Sequence, residues 1–291
     1  MILETSQTAW DFELLDTGSG QRLEKWGEVV LVRPDPQILW PKSLDEEAWK
    51  NIHARFLAGK DGEKGRWEII RPLPKLWTVT YRGVEFRLRL SPFKHTGLFA
   101  EQSAQWDWMV AKLNSAIKAG TKPKILNLFG YTGGATAVLA KQGCQVTHVD
   151  ASRPAITWAN ENGELNSLPK DSIRWILDDA VKFVKRELKR GARYDGILLD
   201  PPAFGHSPTG KTWKFAQDVP GLLQDCIGLL SPDARFLLIN AYATNSSALS
   251  LNNLLEDAAR KLGGTVEAGE LCLKQKSSRL ISTGIFARWS K

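Results

Sequence analysis

Ile125-Leu126-Asn127-Leu128-Phe129-Gly130-Tyr131-Thr132-Gly133-Gly134-Ala135 sets an apolar run against a glycine-rich turn that opens onto a helix-forming stretch. Glycine is needed where the backbone must take a positive φ or come close to a ligand, and the crevice at the carboxyl ends of parallel strands is where such sheets bind nucleotides. On these residues alone the turn has two readings: a nucleotide-binding turn, or a tight strand-to-helix connection that holds nothing.

Outward from this turn the alternation continues. Apolar runs predict strands at 124–129, 145–149, 172–177, 194–199, 234–240, 265–273 and 279–288, and helical periodicity fills the intervals 134–141, 153–166, 180–190, 214–229 and 247–262. Strands alternating with helices predict an α/β fold, a mostly parallel sheet with helices on both faces. The last two of the seven strands lack a helix between them, which matches the methyltransferase variant of the Rossmann-like sheet rather than the dinucleotide one. Residues 92–291 are read as this domain. Residues 1–91, punctuated by Gly and Pro and rich in β-branched and aromatic runs, are read as a small β-rich domain with one helix at 45–56. Its clearest element is a hairpin in which Trp77 to Tyr81 turns at Arg82-Gly83 and returns through Val84, Phe86, Leu88 and Leu90.

The 291 residues are 43% hydrophobic and 24% charged, an ordinary globular composition. No apolar run is long enough to cross a bilayer and the first residues carry no basic, apolar leader pattern, so a cytosolic protein with no membrane partner is expected. Cys144, Cys226 and Cys272 are scattered and suggest neither a disulfide framework nor a zinc site. The net charge of +7 favours an anionic partner without identifying one.

Acidic residues close three successive strands. Asp150 ends the second, where a carboxylate can accept both hydrogen bonds of a ribose diol. Asp178-Asp179 ends the third, where a carboxylate can accept from an adenine amine; Asp179 also suits a helix N-cap, and the two roles are compatible. Asp200-Pro201-Pro202-Ala203-Phe204 ends the fourth. Its prolines cannot donate hydrogen bonds, so the Asp200 carboxylate and the Asp200 and Pro201 carbonyls can act together as acceptors. Acceptors aimed at an aromatic amine favour its pyramidal, nucleophilic form, which stabilises a transition state over the ground state. Phe204 is read as a stacking surface for an extruded base, against the alternative of a core side chain. The polar stretch 205–212 that follows suits a lid, and His206 within it is either a base or a solvated side chain.

These motifs resemble a known group. Asn127 to Gly134, the Val149 to Ser152 turn, Asp178-Asp179, Asp200 to Phe204 and the upstream His95-Thr96-Gly97-Leu98-Phe99-Ala100-Glu101-Gln102 are together similar to the class I methyltransferases related to the bacterial large-subunit ribosomal RNA cytosine-C5 and guanine-N7 enzymes. The resemblance implies S-adenosylmethionine (SAM) as cofactor, with Asn127, Phe129, Gly130, Tyr131, Thr132, Gly133, Gly134, Asp150, Ser152, Asp178 and Asp179 around it and Thr96 and Phe99 lining the pocket. It also implies structured RNA, ribosomal RNA above all, as substrate, with Asp200, Pro201, Pro202 and Phe204 as the catalytic set. The RNA-binding module often found ahead of this catalytic domain is not evident.

The pattern breaks where C5 chemistry would need it. Methylating C5 of a pyrimidine requires a thiolate to add at C6. The cytosine-modifying relatives carry that cysteine after the fifth strand, where this chain reads Ile239-Asn240-Ala241-Tyr242-Ala243. A base nitrogen is therefore the expected methyl acceptor. A small-molecule or protein methyltransferase and a non-catalytic SAM-binding scaffold are the alternatives. Lys274, Lys276 and Arg279, with Lys211 and Lys214, are the expected RNA contacts; the basic residues of 182–193 fit the solvated face of an amphipathic helix better.

Overall fold

The computed structural model describes residues 1–6, 8–59, 64–206 and 212–291. In chain order its elements are β1 (Ile2–Glu4), β2 (Phe12–Gly18), β3 (Gln21–Trp26), β4 (Val29–Pro34), α1 (Glu46–Lys50), β5 (Ala54–Ala58), β6 (Gly65–Ile69), β7 (Trp77–Tyr81), β8 (Val84–Leu88), α2 (Ser103–Lys118), β9 (Lys124–Leu128), α3 (Gly134–Lys141), β10 (Gln145–Asp150) and α4 (Arg153–Leu165). They continue with β11 (Ile173–Leu177), α5 (Ala180–Lys189), β12 (Gly196–Leu199), β13 (Phe204–His206), β14 (Thr212–Lys214), α6 (Phe215–Leu229), β15 (Phe236–Ala241), α7 (Ala248–Ala259), β16 (Thr265–Lys274) and β17 (Leu280–Ser290).

The chain divides into two compact units that interleave along the sequence: Met1–Glu4, Ala104–Leu271 and Thr283–Lys291 form one, Thr5–Ser103 and Cys272–Ser282 the other. The sequence reading drew a single cut at 91/92.

The first unit is built on an eight-stranded sheet of order β1-β16-β17-β15-β12-β9-β10-β11. The parallel pairs β12–β9, β9–β10 and β10–β11 put the carboxyl ends of four successive strands side by side, and β17 alone turns antiparallel against β15. The mixed α/β methyltransferase sheet anticipated from the strand pattern is what the chain forms, with one strand more than the seven expected. That eighth strand, β1, pairs parallel with β16 through Ile2↔Gly269, Leu3↔Glu270 and Glu4↔Leu271. Gly269 permits it, since a Cβ there would lie 1.9 Å from the Ile2 carbonyl oxygen. Glu4 is also held by Arg288, at 2.9 Å.

Leu126, Leu128, Ile197, Leu199, Leu237 and Ile239 of the central strands are buried with Phe183, Val184, Leu222, Leu223 and Leu255 of α5, α6 and α7. Removing each such side chain from water contributes about 1.5 to 3 kcal/mol, and the central strands read as unbroken apolar runs because helices cover both faces. Helix α2 was absent from the sequence reading. Its buried Trp106, Met109 and Leu113 have helical spacing, and no helix among the described residues is long and apolar enough to cross a membrane.

The second unit contains the five-stranded sheet β2-β3-β4-β5-β6 and the hairpin β7-β8, whose register Trp77↔Leu88 to Tyr81↔Val84 is the expected one. The helix expected at 45–56 is confined to Glu46–Lys50. Asp45 caps its N-terminus through the Ala48 N–H at 2.9 Å, and Ala54 onward is taken by pairing with β4 and β6. Glu24, fully buried, receives Arg33 through both carboxylate oxygens, at 2.7 and 2.9 Å. Burial alone would raise its carboxyl, but Arg33 and then Arg22 pull it down to about 2.

Candidate active site

The glycine-rich turn leaves β9 through three left-handed residues, Phe129 (φ 58°), Tyr131 (φ 49°) and Gly133 (φ 82°), before α3 begins. Backbone bonds fix this path: Gly130 N–H donates to the Val149 carbonyl at 3.0 Å, and Gly133 N–H to the Gly130 carbonyl at 3.0 Å. Asn162 of α4 clamps the Thr132 carbonyl at 2.9 Å. Gly130 is glycine for want of room. A Cβ there would stand 2.4 Å from Cε1 and 2.6 Å from Nδ1 of His148.

His148 belongs to a buried polar chain beneath the turn. Asn127 donates to Thr136 Oγ1 at 2.8 Å, and the same hydroxyl is hydrogen-bonded to His148 Nδ1 at 2.9 Å. Burial pushes the imidazole down to about 3, so it is neutral at physiological pH. Asn127, expected at the cofactor, thus spends its amide within this chain and shapes the turn from below. Sequence reasoning passed over His148, placed opposite Asn127 by the pairing of β10 with β9, and Thr136 of α3, since no local motif marks either.

Asp150 ends β10 with both oxygens engaged: Oδ2 accepts the Tyr131 N–H and Oδ1 the Ser152 N–H, each at 2.8 Å. Burial raises its carboxyl and the two amides work against that rise. Each oxygen keeps a second lone pair, so the group is oriented and still able to accept. Ser152 caps α4 through the Ala155 N–H at 3.4 Å. Asp178 accepts from the Asp179 N–H at 2.8 Å and pairs with Arg186, while Asp179 caps α5 through the Lys182 N–H at 3.0 Å.

One strand over, Asp200 N–H donates to the Leu128 carbonyl at 3.3 Å, which ties the start of the Asp-Pro-Pro turn to the strand that feeds the glycine-rich turn. Pro201 is buried and Pro202 exposed. Phe204 is 56% exposed, so the core reading of this ring does not hold. The chain then folds back as the hairpin β13–β14, where Trp213 donates to the Pro202 carbonyl at 2.7 Å and packs on Phe129. Residues 207–211, most of the expected lid together with Lys211, lie outside the described residues.

Thr96 and Phe99 belong to the second unit. Thr96 is fully buried there, and Phe99 packs on His95 with ring centroids 4.8 Å apart. In the same unit Lys276 pairs with Glu13 at 3.3 Å and Arg279 lies over the Trp40 ring at 5.2 Å. In the first unit Lys214 is exposed; on α5, Lys182, Lys185 and Lys189 face solvent while Phe183 and Val184 face the core.

Residues 49–269 match the family model described as S-adenosylmethionine-dependent methyltransferase. The chain belongs to this family. A SAM-dependent methyltransferase from Agrobacterium tumefaciens, solved as a crystal structure, is 40% identical with a TM-score of 0.94, covering 100% of this chain and 93% of that one. Ribosomal RNA large subunit methyltransferase K/L of Pseudoalteromonas atlantica is 30% identical over 79% of this methyltransferase and 30% of the relative. The enzyme of that name from a Shewanella species is 32% identical over 73% and 28%. This methyltransferase therefore spans less than a third of the length of those ribosomal RNA enzymes.

The cofactor is SAM, and the residues fit it. Helix α3 starts at Gly133 with no side-chain cap, as an anion-binding helix start would, and Asp150 keeps oriented acceptor lone pairs of the kind a ribose diol would take.

Proposed function

We propose that this methyltransferase transfers the methyl group of SAM to a base nitrogen of RNA in the cytosol, ribosomal RNA being the favoured substrate. The observation that carries the reading is the Asp200-Pro201-Pro202 turn at the end of β12, flanked by the exposed ring of Phe204 and tied to the cofactor strand through Leu128. The names of the K/L relatives support RNA as the substrate class.

Bound SAM supplies an electrophilic sulfonium methyl. The uncapped start of α3 binds its carboxylate end, Asp150 its ribose hydroxyls and Asp178 its adenine amine. Phe204 stacks on the extruded base, and the Asp200 carboxylate with the Asp200 and Pro201 carbonyls orients the attacking nitrogen. Guanine N7 has no N–H for these acceptors to take, but its in-plane lone pair is already nucleophilic and needs only the base to be held in place; an exocyclic amine would use Asp200 fully. Thiolate attack on a pyrimidine is disfavoured. All three cysteines are buried, and burial pushes Cys144 up to about 12 and Cys226 higher still.

The test is transfer of labelled methyl from SAM to ribosomal RNA from a strain lacking the protein, with Asp200→Asn beside the wild type. The reading expects loss of about a hundredfold or more in kcat with SAM affinity unchanged. Transfer to a protein or small molecule in extract depleted of RNA would overturn it.

A further inference from the structure

Trp213 lies in none of the motifs that announce the active site, yet it touches both of them. It sits on β14 opposite Gly205 of β13. Its indole N–H donates to the Pro202 carbonyl at 2.7 Å, and its ring packs on Phe129 with centroids 5.3 Å apart and planes inclined at 53°. Phe129 is the first left-handed residue of the cofactor turn.

The Asp-Pro-Pro turn needs such a partner. Proline has no N–H, so two consecutive prolines cannot bind themselves to neighbouring backbone by donating. The turn is held by bonds at its flanks, Asp200 N–H to Leu128 and Phe215 N–H to the Ala203 carbonyl at 3.1 Å, and by the Trp213 indole on Pro202 itself. Donor and ring belong to one rigid bicyclic side chain, so displacement of Phe129 is carried to the Pro202 carbonyl one residue beyond the substrate-facing acceptors. We propose that Trp213 is a positioning residue that couples occupancy of the cofactor turn to the geometry of the acceptor turn. Coupling of this kind is carried by chains of packed side chains and hydrogen bonds, and Phe129, Trp213 and Pro202 form one.

The consequence for methyl transfer rests on the RNA-nitrogen reading, whereas the coupling itself rests only on SAM binding. Hydrogen–deuterium exchange of the full chain with and without SAM separates the two, using wild type, Trp213→Phe, which keeps a ring against Phe129 but loses the donor, and Trp213→Leu. In the wild type, SAM is expected to slow exchange both across 129–137 and across 203–206. In Trp213→Phe, protection of 129–137 should persist, protection of 203–206 should fall by about fivefold, and SAM affinity by calorimetry should stay within about twofold. Where RNA is methylated, the same variant should lower kcat by about fivefold and leave the KM for RNA in place. Protection of 203–206 that is missing in the wild type, or that survives in both variants, would overturn the coupling. Wild-type protein that shows the protection but methylates no RNA would remove the substrate reading and leave the coupling standing.

Discussion

Gly130→Ala places a methyl group where the His148 ring already stands. Ordinary Cβ contacts begin near 3.4 Å, and the added atom would lie 2.4, 2.6 and 2.9 Å from three ring atoms. The imidazole must therefore retreat by about 1 Å, and it has nowhere to go: Thr136 holds Nδ1 at 2.9 Å, Trp175 packs at 4.9 Å between centroids, and the residue is fully buried. Overpacking of this kind costs about 1 to 3 kcal/mol, a fall in melting temperature of roughly 2 to 10 °C for a protein of this size. SAM affinity should fall as well, because the turn must shift to relieve the contact. The assay is thermal and urea unfolding of Gly130→Ala, His148→Ala and the double variant, with calorimetric SAM titration of each. Gly205→Ala is the control, since its Cβ would meet only Pro202 at 3.6 Å and Trp213 at 3.8 Å. His148→Ala removes the obstacle, so the double variant should be more stable than the sum of the singles predicts, by about 1 kcal/mol or more. Additivity within about 0.5 kcal/mol would mean that the ring is not what makes this position glycine.

Acid should destabilise the protein earlier than its carboxylates alone would. His148 and His95 stay neutral in the fold down to about 3, whereas the unfolded chain takes up a proton at each near 6.5. Their contribution is complete above pH 6.5 and is lost as pH falls towards 3, by about 2 kcal/mol per histidine at pH 5. A melting temperature that stays flat between pH 7 and pH 5 would contradict this. Gly221, exposed on α6 with nothing within 4 Å of an added Cβ, should gain about 0.5 to 1 kcal/mol on change to Ala, measured by urea unfolding. Cys144→Ala, Cys226→Ala and Cys272→Ala should lower stability by filling buried sites less well, yet leave kcat unchanged; loss of kcat in any of them without loss of SAM binding would reopen thiolate chemistry.

Much of this molecule is legible in its residues because the physics is local. The apolar runs of β9, β10, β12 and β15, the glycine turn and the acids that end the strands are each set by neighbours in sequence. Phe204 has two readings in the sequence, a stacking surface or a core side chain, and its exposure excludes the second. What escaped depends on distant partners. Three residues of β1 carry no strand signal until β16 offers an edge, and the two units interleave because strands from the end of the chain run through both. His148 reads as one more residue of an apolar strand until Asn127 and Thr136 close the chain of hydrogen bonds beneath Gly130. Trp213 gains its partners only when the hairpin β13–β14 folds back on the turn.

The placing of β1 has a consequence for the order in which the sheet is completed. Ile2 to Glu4 lie far along the chain from their pairing strand, with Gly269, and from their ion-pair partner Arg288. Contacts so distant in sequence carry a large loop-closure cost, so this pairing forms late in folding, and the free edge of β16 is covered only then. A bulky group attached just ahead of Ile2 would burden that late docking.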